Sequence, residues 1–296
     1  MTVPVTTELF DRPGARIAFD VRGTGPLLAL VGSPMGADGF AALADRLAAD
    51  HTVLTFDPRG TGRSPADDPD ADSTVPIRAA DLAALIEHVG RGPATLLGSS
   101  GGAVVSLALA QERPDLVRAV IAHEPPLEEL LPDAAERRLG TEQIIQAYRD
   151  EGSAAAWTLF LGGTGLPAGR PDDAPDDAPA GRTGLPGADD SAPDDAAPDD
   201  PAPDAGARWP NPDERHFFLH EMRETVRWTP DLDVLADRRV VVGIGDDSAG
   251  QMCDDTSRAL AARLDVSPEP FPGGHVGFTT HPEAFEVRLR EVVAGL

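Results

Sequence analysis

The chain has 296 residues, 41% of them hydrophobic, and a formal net charge of −25. This length and apolar content suffice for one large core, and the negative charge argues against nucleic acid and anionic membranes as partners, because both would repel it. The 25 basic residues are all arginine, which excludes mechanisms that need a lysine, such as Schiff-base formation.

Signals for export and membrane insertion are absent from the sequence. The first residues lack the basic and apolar regions of a signal peptide, and no apolar run approaches 18 residues. A sole cysteine, Cys253, excludes an internal disulfide and fits a reducing compartment; we interpret it as a structural thiol. We therefore predict a cytoplasmic protein without membrane attachment.

Short β-type runs alternate with amphipathic helical runs along most of the chain. The predicted strands are Thr7–Phe10, Arg16–Val21, Leu27–Val31, Thr52–Phe56, Ala94–Leu97, Val117–Ala122, Val240–Ile244 and Val266–Phe271. The predicted helices are Phe40–Leu47, Ile77–Val89, Ala103–Gln111, Thr256–Leu264 and Pro282–Leu296. This alternation predicts an α/β fold with a mostly parallel sheet of about eight strands, flanked by helices.

The alternation stops between residues 127 and 235, which we predict to form a helical cap. Its predicted helices are Thr141–Arg149, Ala154–Leu161 and Pro212–Trp228, the last with Asn211 as N-cap. The core is then divided into residues 1–126 and 236–296. Within the cap, an insertion at about 162–208 is built from Pro-Asp-Asp-Ala units, is strongly acidic and has almost nothing apolar to bury, so we predict it to be disordered.

Ser100 lies in the run Gly-Ser-Ser-Gly-Gly at 98–102, between a predicted strand and a predicted helix. The pattern G-x-S-x-G is typical of a nucleophile elbow, in which a strained turn lifts the serine hydroxyl above the sheet edge. Glycines on both sides are needed because side chains there would collide with the turn. We therefore predict Ser100 to be a nucleophile.

A nucleophilic serine needs a base, and His275 is the best candidate. It lies in a loop between the last predicted strand and the last predicted helix, in the run Pro-Gly-Gly-His at 272–275. His216 and His220 are four residues apart on one helix but lack a third ligand nearby, so we predict no metal site and no cofactor.

Four motifs in order carry a resemblance to a known family. They are Val-Gly-Ser-Pro-Met-Gly at 31–36, Asp-Pro-Arg-Gly-Thr-Gly-Arg-Ser at 57–64, the serine elbow and Gly-Gly-His at 273–275. In these the chain resembles cap-bearing serine esterases of the α/β-hydrolase superfamily, from about Thr7 to the C-terminus except for the insertion.

The resemblance implies a carboxylate that orients His275, and two loops could provide it. One follows the strand that ends near Gly245 and contains Asp246 and Asp247, but the usual position, three residues beyond the glycine, is Ser248. The other follows the strand 117–122 and contains Glu124, which some members of the fold use. We prefer Glu124, with Asp247 or Asp246 as the alternative.

The resemblance also implies an oxyanion hole formed by two backbone N–H groups. In this fold one comes from the residue after the nucleophile, here Gly101, and the other from the loop after the third strand, here Ser33. Together these residues predict a serine hydrolase that cleaves a carboxylic ester or related acyl bond of a small-molecule substrate. The alternatives are a cofactor-free perhydrolase or haloperoxidase-type activity with the same triad, and a non-catalytic binding member of the fold.

Overall fold

The computed structural model describes residues 3–165 and 212–296. The predicted disordered insertion lies outside the described residues from position 166 onward, as does the predicted N-cap residue Asn211. No helix in the described parts of the chain has the length and apolar character needed to cross a membrane.

Eight strands form one sheet, as predicted. They are β1 (Val5–Arg12), β2 (Ala15–Arg22), β3 (Leu27–Val31), β4 (Thr52–Phe56), β5 (Ala94–Ser99), β6 (Val117–His123), β7 (Val240–Gly245) and β8 (Glu269–Phe271). Their spatial order is β1-β2-β4-β3-β5-β6-β7-β8. The pairs β1–β2 and β2–β4 are antiparallel, and the pairs from β4 through β8 are parallel. All residues of β3, β4 and β5 and five of the seven residues of β6 are buried, as expected for a sheet covered on both faces.

Helices follow most of the strands. They are α1 (Ala41–Leu47), α2 (Val75–Val89), α3 (Gly101–Glu112), α4 (Ala134–Glu151), α5 (Ser153–Thr164), α6 (Pro212–His216), α7 (Met222–Val226), α8 (Leu232–Ala236), α9 (Met252–Arg263), α10 (Gly277–Thr280) and α11 (Pro282–Ala294). Buried residues of α2, α3 and α9 belong to the apolar cluster on one face of the sheet, and those of α1, α10 and α11 to the cluster on the other.

Two predicted boundaries are wrong for reasons of helix termination. The last strand begins at Glu269 instead of Val266, because Asp265 takes a left-handed conformation (φ 54°) and the Val266 N–H bonds back to Ala261 O, closing α9. Helix α5 extends three residues beyond the predicted Leu161, so the first residues of the predicted disordered insertion are helical. Its end comes at Gly165, whose φ of 72° stops the helix.

The predicted helix over 212–228 is interrupted. A π-helical segment, Phe217–Glu221, joins α6 to α7. Aromatic residues of this helical region pack on one another, since the Tyr148 and Phe218 rings stack with centroids 4.8 Å apart and Trp157 meets Phe218 edge-on at 5.0 Å. The region predicted to form the helical cap therefore has a small apolar core of its own.

The fold places the candidate residues at one edge of the sheet. Ser100 follows β5, Glu124 follows β6, Asp246 follows β7 and His275 follows β8 by four residues. These four strands are parallel neighbours, so their carboxyl ends meet at the same edge, where open α/β sheets bind ligands.

Gly102 is required by the close approach of α3 to β3. A Cβ at this position would lie 2.0 Å from Val31 O, whereas a Cβ at Gly140, inside α4, would meet nothing within 4 Å. We expect Gly102→Ala to lower the free energy of unfolding by about 3 kcal/mol through this clash. Gly140→Ala should raise it by about 0.5–1 kcal/mol, because alanine loses less entropy in a helix. Urea unfolding of both variants tests this, and similar effects would contradict the assigned packing.

Candidate active site

The turn at Ser100 has the geometry of a nucleophile elbow. Its backbone lies at φ 55° and ψ −126°, a strained conformation for a residue with a side chain. The turn is secured by hydrogen bonds from Ser100 N–H to His123 O (3.0 Å) and from Ala103 N–H to Ser100 O (2.9 Å). A Cβ at Gly98 would lie 2.5 Å from Gly102 O, so glycine at this position permits the turn. The Ser100 side chain is half-buried at the start of α3.

His275 and Glu124 meet across the neighbouring loops. The distance from His275 Nδ1 to Glu124 Oε2 is 2.7 Å, and the other carboxylate oxygen, Oε1, accepts a hydrogen bond of 2.8 Å from Gly245 N–H. Because Nδ1 faces the carboxylate, Nε2 is the nitrogen left for a substrate or nucleophile. Glu124 thus contacts the histidine that we predicted as the base.

Glu124 is a buried anion held in a strained position. Its side chain has no exposed surface, and its φ is 52°. Burial alone would raise its pKa, but the hydrogen bond from His275 and the charges around it lower the pKa to about 2. The carboxylate is therefore ionised throughout the physiological pH range.

The two alternative acids do not contact His275 in the structure. Asp246 and Asp247 are both exposed, on the loop after β7. Ser248, at the position where the superfamily usually has its acid, is buried close to Glu124. Glu124 thus approaches from β6 the place that an acid after β7 would otherwise take.

Ser33 and Gly101, the predicted oxyanion donors, lie against each other. A Cβ on Gly101 would be 2.7 Å from Ser33 O and 3.1 Å from Ser33 Cβ, so only glycine permits this approach. Ser33 is 3% exposed, and its hydroxyl is bonded to Arg78 and Glu221. The loop after β3 therefore meets the first residue of α3, as an oxyanion hole requires.

Cys253 lies beside His275, which the sequence did not indicate. It lies in the first turn of α9 and is buried, and potential ligand atoms of Cys253, His275 and Glu124 all lie within 4.8 Å of one another. Among the described residues, these three side chains form a cluster whose ligand types and spacing could hold a metal ion. The 2.7 Å separation of His275 Nδ1 and Glu124 Oε2 is that of two atoms sharing a proton, and shorter than the roughly 3.3 Å between tetrahedral zinc ligands.

The pKa of His275 reflects this environment. Burial disfavours the charged ring, but the contacts with Cys253 and with Glu124 outweigh it, so the pKa is raised above its ordinary value. His123 behaves in the opposite way: it is buried among Phe271, Phe278 and Phe285, and burial lowers its pKa to about 4. His123 is therefore neutral and part of the core.

Comparison with known proteins identifies the fold. A family model described as the alpha/beta hydrolase fold matches residues 25–151, which include Ser33, Ser100 and Glu124. Together with the sheet order and the strained turn at Ser100, this match shows that the chain has the α/β-hydrolase fold. The predicted fold class is confirmed.

Curated relatives match part of the chain. A protein of Bacillus subtilis named as the uncharacterized hydrolase YraK is 40% identical over 120 residues, which are 40% of this chain and 44% of that protein. The 2-(acetamidomethylene)succinate hydrolase of Mesorhizobium japonicum is 38% identical over 129 residues, 42% and 46% of the two chains. The matches thus span less than half the length of these relatives.

Solved structures resemble the whole described fold. A thermophilic esterase from Thermogutta terrifontis has a TM-score of 0.66 and 20% sequence identity, with 99% of this chain and 98% of that chain covered. At this level of identity the similarity shows the fold alone.

Cys253→Ala should lower the pKa of His275. Cys253 and Glu124 are the two groups that raise the pKa of His275. The substitution removes the thiol and leaves the Glu124 side chain unchanged. An NMR titration of the His275 imidazole, with Asp247→Asn as the control on the neighbouring exposed loop, measures the change. An unchanged or higher pKa in Cys253→Ala would show that the thiol does not act on the ring.

Proposed function

We propose that this protein is a serine hydrolase that cleaves a carboxylic ester or related acyl bond of a small molecule through an acyl-enzyme intermediate. The observation that carries the proposal is the 2.7 Å contact between His275 Nδ1 and the buried Glu124 carboxylate, at the sheet edge where the strained elbow presents Ser100. A nucleophile, a base and an orienting acid are then supplied by the ends of neighbouring parallel strands.

Acylation starts with proton transfer to the neutral form of His275, whose share grows as the pH rises because the pKa of the ring is raised. Since Nδ1 is bonded to Glu124, Nε2 takes the proton of Ser100 Oγ as the oxygen attacks the substrate carbonyl carbon. The imidazolium that forms is stabilised by the ionised Glu124, which stays a carboxylate because its pKa is about 2. The new bond is Ser100 Oγ to carbonyl carbon, and the carbonyl oxygen becomes an oxyanion.

Ser33 and Gly101 would stabilise the oxyanion through their backbone N–H groups. Their contact places the two loops side by side, and the positive end of the α3 dipole adds to the favourable potential. One such donor is worth about 10²–10³ in rate. The intermediate then collapses as His275 gives its proton to the leaving group.

Deacylation repeats the same proton transfers, with water as the nucleophile in place of Ser100. His275 Nε2 takes a proton from the water that attacks the acyl carbon, and returns it to Ser100 Oγ as the acid product leaves. Relatives named as hydrolases, and a fold shared with an esterase, support hydrolysis as the reaction class. We expect a small acyl compound as the substrate, bound beneath the proposed helical cap, and a cytoplasmic location.

Ser100→Ala should lower kcat on an activated ester by about 10⁶, because the nucleophile and the base act as a unit. Fluorophosphonate should label the wild type at Ser100, as shown by peptide mass spectrometry. Ser99→Ala is the matched control: it removes the hydroxyl of the adjacent residue, which is buried at the end of β5. We expect Ser99→Ala to keep its labelling and most of its activity.

A loss of less than tenfold in Ser100→Ala would remove Ser100 from the mechanism. Failure of the wild type to react with the probe would favour a non-catalytic member of the fold. Formation of a peracid from hydrogen peroxide and a carboxylic acid, without ester cleavage, would favour the perhydrolase alternative.

A further inference from the structure

A buried ion pair lies directly beside the proposed oxyanion hole. Arg78 of α2 is 3% exposed and Glu221, the last residue of the π-helical segment, is 1% exposed, with 3.3 Å between Arg78 Nη1 and Glu221 Oε1. The Ser33 hydroxyl lies between them, since it accepts a hydrogen bond from Arg78 Nη1 and donates one to Glu221 Oε1. The side chain of Ser33 is therefore held by both charges.

The same network reaches the first residue of α3. Arg78 Nη2 donates to Thr225 Oγ1 at 2.7 Å, and Thr225 Oγ1 donates to the carbonyl of Glu221 at 3.0 Å. A Cβ on Gly101 would lie 3.2 Å from Thr225 Cγ2. One face of the cap thus touches both loops that carry the proposed oxyanion donors.

The helix geometry accounts for the position of Glu221. A π-helical turn holds more residues than an α-helical turn, so it rotates the following residues to another side of the helix. Phe217 and Phe218 then face the apolar core of the cap, while Glu221 and Thr225 face Ser33 and Arg78. Such π-turns inside α-helices are frequent at functional sites.

Stabilisation of the fold is a poor explanation for the buried Arg78–Glu221 ion pair. Removing two charges from water costs several kcal/mol per ion, and apolar residues of similar volume often serve as well. Among the described residues, Arg78 Nε and Glu221 Oε2 have no hydrogen-bond partner, so the pair is not optimally satisfied. Burial also lowers the pKa of Arg78, against the attraction of Glu221. The specific effect of the Arg78–Glu221 ion pair is to hold the Ser33 side chain in place.

The geometry points to Glu221 and Arg78 as positioning residues that hold Ser33 in place and so align its backbone N–H with the oxyanion. This inference rests on the proposed acyl-transfer function and adds a coupling between the cap and the oxyanion hole. Neither residue contacts the reacting atoms; both act through Ser33.

Glu221→Gln should lower kcat about tenfold to a hundredfold while KM changes less than threefold, because alignment of the donor matters most in the transition state. A trifluoromethyl ketone, which forms an oxyanion adduct with a nucleophilic serine, should bind more weakly by a similar factor. The matching methyl ketone should not change. Arg223→Gln is the control, since it removes a partly exposed ion pair with Glu142 from the same cap helix.

A double-mutant cycle tests the route through Ser33. Ser33→Ala keeps the backbone N–H but removes the hydroxyl that Arg78 and Glu221 hold, so Glu221→Gln should have little further effect in that background. Because Glu221→Gln leaves a buried arginine unpaired, the double variant Arg78→Met/Glu221→Leu provides a folded alternative without buried charge. It should show the same loss of kcat.

Amide hydrogen exchange at Ser33 gives a readout that does not depend on catalysis. In Glu221→Gln, or in Arg78→Met/Glu221→Leu, exchange of the Ser33 N–H should be at least tenfold faster than in the wild type, and in Arg223→Gln it should be unchanged. Unchanged exchange, or additive effects in the cycle, would overturn the inference. Absence of any reaction at Ser100 in the wild type would instead refute the proposed function and leave the exchange result to decide the positioning role.

Discussion

Glu124 is a carboxylate without exposed surface, and two hydrogen bonds stabilise its charge, from the His275 ring and from the Gly245 backbone. Both partners are needed, because an unpaired buried charge costs several kcal/mol. The contact fixes which ring nitrogen of His275 carries the proton that faces Glu124, and it determines where Nε2 points. The geometry of the proposed reaction therefore depends on this one hydrogen bond, whose partners follow β6 and β8.

The position of Glu124 has a structural consequence for the whole site. β6 is adjacent to β5 in the sheet, whereas β8 is three strands away from β5. At about 4.8 Å per strand, a histidine directly above β8 would lie far from Ser100. The contact with Glu124 places the His275 ring at the end of β6, the neighbour of β5, and the hydrogen bond from Ser100 N–H to His123 O joins the Ser100 turn to the same strand. Ser248, small and buried beside the carboxylate, leaves room for it.

Much of the fold and the positions of Ser100 and His275 could be predicted from the sequence, because their signals are local. Glycines beside a serine predict an elbow, and the structure shows the clashes that their absence would cause. The choice among Glu124, Asp246 and Asp247 depended on how loops from β6, β7 and β8 converge, which no local pattern encodes. The π-helical segment and the contact between Cys253 and His275 were not predicted for the same reason. Both arise from tertiary packing.

The roles of the site residues remain the central claim, and kcat/KM of Glu124→Gln beside Asp247→Asn on an activated ester tests it most directly. Glutamine keeps the shape of the side chain but removes the charge that holds the imidazolium, so we expect a loss of about 10⁴. Asp247→Asn, on the exposed loop, should stay within threefold of the wild type. A large loss in Asp247→Asn with near-normal activity in Glu124→Gln would contradict the account.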